Sequence, residues 1–297
     1  MEDQKILNTE KTGTRKEFFR FMKENPFALL GSVLILIVIL TSIFVPYLPT
    51  RDPVLVDLPN RLKPPSTEHL FGTDIYGRDV FSRVLWGGRI SMLVGVLSVA
   101  LSSLVGVVLG LISGYYGKIL DIVIMRITDI LLSFPALLLA MAICAALGSS
   151  LWNVIIAISI VAVPRFARLV RGSTLSVREE DFVEAARALG QKPIKIIVFH
   201  ILPNVISPIL VMVTLSIPAA IITEASLSFL GLGVMPPTPT WGNMISEGKM
   251  YLQNAPWIAI FSGTAIVLVV LAFNFVGDAA RDAFDPRLRG EREEERG

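Results

Sequence analysis

Few residues in this 297-residue chain could carry covalent or metal chemistry. The two histidines, His69 and His200, stand far apart, and the one cysteine, Cys144, sits in an apolar run. Neither a His-rich metal site nor an internal disulfide is expected from them. "GYYGKI" lacks the spacing of a nucleotide-binding loop and the Ser or Thr that should follow Lys118. "GLG" at 231–233 runs into "VMPP" rather than a dinucleotide turn, and the H-E-x-x-H and G-x-S-x-G patterns are absent. Two features remain. One is Glu224, a carboxylate in the apolar stretch "IITEASLSFLGLG". The other is a charged, alanine-rich elbow, "EAARALGQKPIKIIVFHILPN" (184–204), set between two apolar segments. Neither forms a catalytic constellation; a carboxylate in an apolar stretch is a candidate for a functional role inside the membrane, and a polar elbow for docking.

The elements around these features are those of a membrane protein. Hydrophobic residues make up 53% of the chain and charged ones 18%, against about 25% charged in a typical soluble domain. The net charge of +2, from dispersed basic residues, gives no nucleic-acid patch. The first apolar run, Ala28–Val45, is too long for a signal-peptide core and is followed by "PYLPTRD", so it reads as an uncleaved anchor. A crossing helix needs about 20 apolar residues. Charge-free windows predict spans in Pro26–Thr50, Ile90–Gly117, Ile201–Thr223 and Pro256–Gly277, and the window Ile130–Pro164 divides into two at "LGSSLWN" (Leu147–Asn153). The expected fold is therefore all-α and integral to the membrane, with six transmembrane helices. With both termini cytoplasmic, inner segments hold 20 Lys and Arg and outer segments 7, the bias expected of that orientation.

Along the chain this gives a cytoplasmic N-terminal segment (1–26), then a first helix with its extracytoplasmic loop (27–89). A core of five helices (90–280) contains the elbow (about 176–203), and a charged cytoplasmic tail (281–297) ends the chain. The end of the outer loop places Val80, Phe81, Val84 and Leu85 on one face, as a short interfacial helix would, although a structured loop serves equally. Ser98, Ser102, Gly106, Gly110 and Gly114 recur every four residues, a face along which helix backbones approach closely, within the chain or against a partner. If its helix continues through Leu230, Glu224 faces either a partner group or a watery cavity, which makes it a candidate for the transport path; if the helix ends there, it is an ordinary outer-interface residue. Arg165, Arg168 and Arg171 read as inner-interface anchors that snorkel. The proline-rich "GVMPPTPTWGNMISEG" cannot be one continuous helix and is expected across the outer mouth of the bundle.

Within the elbow, Ser176 precedes Glu179 by three residues, the spacing of a capping box. Glu179, Glu180 and Asp181 suit the positive end of a helix dipole. Phe182, Ala185, Ala186 and Leu189 form one apolar face; Gly190 closes the helix and Pro193 blocks its continuation. Small alanines make the face shallow and favour docking on a protein over resting on lipid, which selects bulkier residues.

"EAARALG" with "HILP" at 200–203 resembles the cytoplasmic EAA loop of ABC importer permeases, and "HILPN" resembles the peptide-permease branch. "HLFGTDIYGRDVFSRVLWGGRISMLVG" (69–95) and "EASLSFLGLGVMPPTPTWGNMI" (224–245) are similar to the C-type membrane subunit of dipeptide, oligopeptide and nickel importers. The resemblance implies the type I importer permease fold in a multi-pass subunit of the cell (plasma or inner) membrane. It implies a paralogous permease partner, two cytoplasmic ATPase subunits and an extracytoplasmic substrate-binding protein. ATP and magnesium would lie on the ATPases, with no cofactor on this chain. Glu184, Ala185, Ala186, Leu189 and Gly190 would couple ATP-driven closure to the membrane helices. Peptide is the expected cargo, with nickel or another small solute as the alternative. A channel or secondary transporter, independent of ATP, is the competing class.

Overall fold

A computed structural model describes residues 25–284. The expected N-terminal segment (1–26) and charged tail (281–297) therefore lie mostly outside the described residues. Those residues are helical apart from turns and one isolated bridge, Thr73 with Asp79. Five helices are long and apolar enough to cross a membrane, and a bent pair supplies a sixth crossing if it counts as one.

Helix α1 (Pro26–Phe44) opens on a proline, whose missing N–H costs nothing in a first turn. Helix α2 (Val80–Tyr116) starts where the Asp79 carboxylate accepts hydrogen bonds from the Ser82 backbone N–H (2.8 Å) and hydroxyl (2.7 Å). It ends at Gly117, whose φ of 62° is strained for other residues. The apolar residues expected in an interfacial helix are thus the first turns of the membrane helix itself. Val80 and Val84 face a core of Met244, Ala255 and Ile258.

The third crossing differs from expectation. Residues 118–129, read as an inner loop, belong to helix α3 (Lys118–Ser133). Pro135 then turns the chain, and α4 (Ala136–Leu147) leaves at 94° to α3. Charge had hidden this helix, because Asp121, Arg126 and Asp129 interrupt its apolar face. Helix α5 (Leu151–Arg178) is capped by Ser150, whose hydroxyl accepts from the Asn153 N–H at 3.2 Å. It continues through Pro164 and fourteen residues beyond the end of the predicted window.

The elbow helix is α6 (Asp181–Ala188). Helix α7 (Pro193–Phe229) contains a π-helical turn, Ile197–Ile201, just before Pro203. That proline's ring crowds the carbonyl of Phe199 and its missing N–H cannot bond it. Helices α2 and α7 would each be about 55 Å long at 1.5 Å per residue, well beyond a hydrocarbon core of about 30 Å. The excess of α2 enters the outer loop, and the excess of α7 packs under α6. Outside, α8 (Trp241–Gly248) begins with a capping box between Thr240 and Asn243. Helix α9 (Trp257–Phe284) completes the bundle.

Candidate functional site

The capping box expected at Ser176 does not form. Helix α5 runs to Arg178, and the Ser176 hydroxyl bonds back to the Gly172 carbonyl at 3.5 Å. Glu179 closes α5 instead of serving α6, whose preceding residue Glu180 makes no side-chain cap. Asp181 and Glu184 hold the first turn of α6, where the dipole favours their charge. Its other end is well defined. Gly190 has φ 72°; its N–H bonds the Arg187 carbonyl at 3.0 Å, and the Gln191 N–H bonds that of Ala186 at 3.2 Å. Those two bonds form a Schellman closure.

The apolar residues of α6 divide between two faces. Val183 and Ala186 are buried against Val170, Ile196, Ile197 and Ile201, which fixes the helix to α5 and the start of α7. Phe182 and Leu189 are exposed at 43% and 80%, and Glu184, Ala185 and Gly190 are exposed beside them. A Cβ added at Gly190 would meet nothing within 4 Å. The surface is shallow, partly apolar and rigidly mounted. Ala186, expected with the docking face, instead anchors the helix.

The small-residue face of α2 lies against α5 of the same chain. A Cβ at Gly106 would stand 2.4 Å from that of Phe166, at Gly110 2.7 Å from the Ala167 carbonyl oxygen, and at Gly114 2.6 Å from the Thr174 Cβ. Ser98 donates to the Ile155 carbonyl at 3.3 Å, and Ser159 returns a bond to the Ser98 carbonyl at 3.2 Å. Ser102 is fully buried on the same face and bonds the Val99 carbonyl.

Glu224 lies inside α7 and is fully buried. Its carboxyl group accepts from the Ser228 hydroxyl at 2.7 Å and the Ser91 hydroxyl at 3.1 Å. Ser91 in turn accepts the Trp241 N–H at 3.3 Å. Through Ser91 the Glu224 side chain is thereby tied to α2 and to the first turn of α8. Its neighbour Thr223 faces a different surface, a recess of 90 Å³ lined by Arg165, Ser216, Ala219 and other residues of α2, α4, α5 and α7.

The arginines of α5 do more than snorkel. Arg171 makes a two-pronged pair with Asp121 at 2.5 and 2.6 Å, and Arg168 reaches Asp129 at 2.5 Å, which joins α5 to α3. Outside, sequence reasoning missed a buried ionic network. Arg78 bonds Asp74 at 2.6 Å and Glu247 at 2.9 Å, and Arg83 bonds Glu247 at 3.1 Å. Arg83 Nε stands 3.4 Å from Asp74 in an ion pair whose angle makes no hydrogen bond. His69 Nδ1 lies 3.0 Å from Asp79. The local signal was a crowd of opposite charges in residues 50–89, but Glu247 is too far along the chain to be paired with them by spacing.

Comparison with known proteins follows this geometry. The profile of the family described as "Binding-protein-dependent transport system inner membrane component" matches residues 106–290. That of the "N-terminal TM domain of oligopeptide transport permease C" matches residues 14–65. The dipeptide transport system permease protein DppC of Alkalihalophilus pseudofirmus is 48% identical over 92% of this chain and 90% of its own. The probable D,D-dipeptide transport system permease protein DdpC of Escherichia coli is 44% identical over 91% and 90%. The glutathione transport system permease protein GsiD of an Escherichia coli O6 strain is 45% identical over 92% and 91%. Among solved structures, a chain of the inward-facing MetNI methionine ABC transporter superposes with TM-score 0.57 at 19% identity, covering 68% of this chain and 97% of that one. The last likeness concerns the fold alone.

Proposed function

The chain belongs to the family of binding-protein-dependent transport system inner membrane components, as a multi-pass permease subunit of an ABC importer, and from that premise we propose that its cargo is a short peptide. The names of its relatives carry this reading: dipeptide, D,D-dipeptide and glutathione are all compounds with amide-linked residues. ATP hydrolysis lies in separate subunits, and a binding protein is a further partner. In our reading the complex holds two ATPases and a second, paralogous permease, and the transport path runs between the two permeases. ATP and magnesium are bound on the ATPases.

Coupling is assigned to α6. Phe182, Ala185, Leu189 and Gly190 form the surface that an ATPase cleft would grip, with Glu184 at its edge. Val183 and Ala186 pass the resulting force to α5 and α7, because buried apolar packing transmits displacement rather than absorbing it. The small-residue face of α2 keeps α2 and α5 moving as one body. Glu224 serves to hold α8 to α7 and α2, so that the outer cap moves with them.

The test is reconstitution in vesicles. Co-assembled with its ATPases, second permease and binding protein, the chain should support peptide uptake that requires ATP. Uptake without the ATPases would favour a channel or secondary transporter instead. At Gly190→Trp the side chain projects into open space, and the left-handed backbone there adds a strain of about 1–2 kcal/mol confined to the end of α6, so the variant should insert and pair with its partner permease while losing ATP-driven uptake. Uptake equal to wild type would remove the coupling assignment.

A further inference from the structure

The recess between α4, α5 and α7 holds a charge that the fold does not use. Three arginines follow one another at intervals of three on α5. Arg171 and Arg168 are each taken up by an aspartate of α3. Arg165 has no acidic partner and no hydrogen bond among the described residues, and its side chain borders the recess. It lies fourteen residues from the start of α5, about 21 Å along the helix axis, so the two paired arginines lie nearer the inner surface than it does. Arg165 is exposed on one side of the recess, so its guanidinium is free to meet a solute there.

Part of the lining around Arg165 is small or polar. Ala219 and Ala162 leave room, and the hydroxyls of Ser216 and Thr223 border the space. The Ser216 hydroxyl makes no hydrogen bond among the described residues, and that of Thr223 donates back to Ala219 yet keeps acceptor capacity. A guanidinium flanked by two hydroxyls suits a group that is anionic at one end and donates hydrogen bonds beside it. A recess of 90 Å³ holds a terminal group rather than a whole peptide.

We infer that Arg165 is a specificity residue of the transport path, binding the terminal carboxylate of the passing solute while Ser216 and Thr223 flank its adjoining amide. The inference deepens the peptide-permease reading and rests on it. Selection by the binding protein is then followed by a second, weaker check inside the membrane. Weak binding is required there, since a solute held tightly would not leave.

The experiment compares two probes, radiolabelled trialanine and its C-terminal amide, in vesicles bearing the complete transporter. The readout is the ratio of free-acid to amide uptake at saturating binding protein, which cancels differences in expression or folding. Wild type should favour the free acid, Arg165→Gln should bring the ratio down about tenfold, and Arg165→Lys should fall between, since an ammonium pairs with carboxylate as a point charge without the fork geometry. A ratio unchanged by Arg165→Gln overturns the carboxylate site while leaving the permease reading standing. ATP-dependent uptake of neither probe by wild type overturns the peptide reading and the site together.

Discussion

Gly106 and Gly172 are both helical glycines, yet their replacement by alanine should act in opposite directions. At Gly106 the added methyl would collide with Phe166 and with the Val163 carbonyl, backbone that cannot swing aside. Gly106→Ala should therefore lower the thermal midpoint of the purified chain, with a cost of about 1–3 kcal/mol. At Gly172 the methyl meets nothing within 4 Å, and Gly172→Ala should raise the midpoint through a gain of about 0.5–1 kcal/mol. Glu224 belongs to the same scale. Glu224→Ala strips the bonds from Ser91 and Ser228 and should cost about 1–3 kcal/mol, whereas Glu224→Gln, which keeps an acceptor oxygen, should cost less. Thermal denaturation in detergent checks both. The four-residue spacing of small side chains was legible in the sequence because close packing leaves a compositional mark. The bond from Ser91 to Glu224 was not, because Ser91 comes from another element.

Among the elements, α3 and α8 are the ones held by charge. Arg171 and Asp121 are only partly exposed, but the pair still feels solvent, so Asp121→Asn should cost about 1 kcal/mol. The same pair offers a sharper readout: exchanging the charges, Asp121→Arg with Arg171→Asp, should recover part of the stability lost by either change alone. Equal losses with no recovery in the double variant would mean that α3 is held by its apolar contacts. Outside, Glu247→Ala would leave Arg78 and Arg83 with one carboxylate between them. With both guanidiniums buried and Glu247 18% exposed, a loss of about 3 kcal/mol is expected. Its sign should be faster proteolysis within residues 50–79, the loop that this network clamps. Helices with clean apolar runs were readable as spans. Helix α3 was read as a loop, since its acids and Arg126 resemble loop residues until Arg171 and Arg168 neutralise the acids.

For the molecule as a whole, the exposed side of α6 should be covered only in the assembled transporter. The one native thiol, Cys144, is buried, so Leu189→Cys would offer a single reactive site at a position 80% exposed. Maleimide should label it readily in the isolated permease and poorly when the ATPases are bound, as expected of a residue within a protein interface. Equal labelling in both states would place the ATPase elsewhere. The sequence by itself determined the membrane class, the inner and outer sides and a short helix ending at Gly190. Each of these rests on local composition, on a 3.6-residue period or on a backbone angle that glycine tolerates. Only the tertiary structure decided which side of that helix is free, because Phe182 and Val183 are both apolar neighbours and packing alone turns one outward. It also decided the fate of the three arginines of α5. Their spacing is the same, but α3 brings an aspartate to two of them and leaves Arg165 facing the recess.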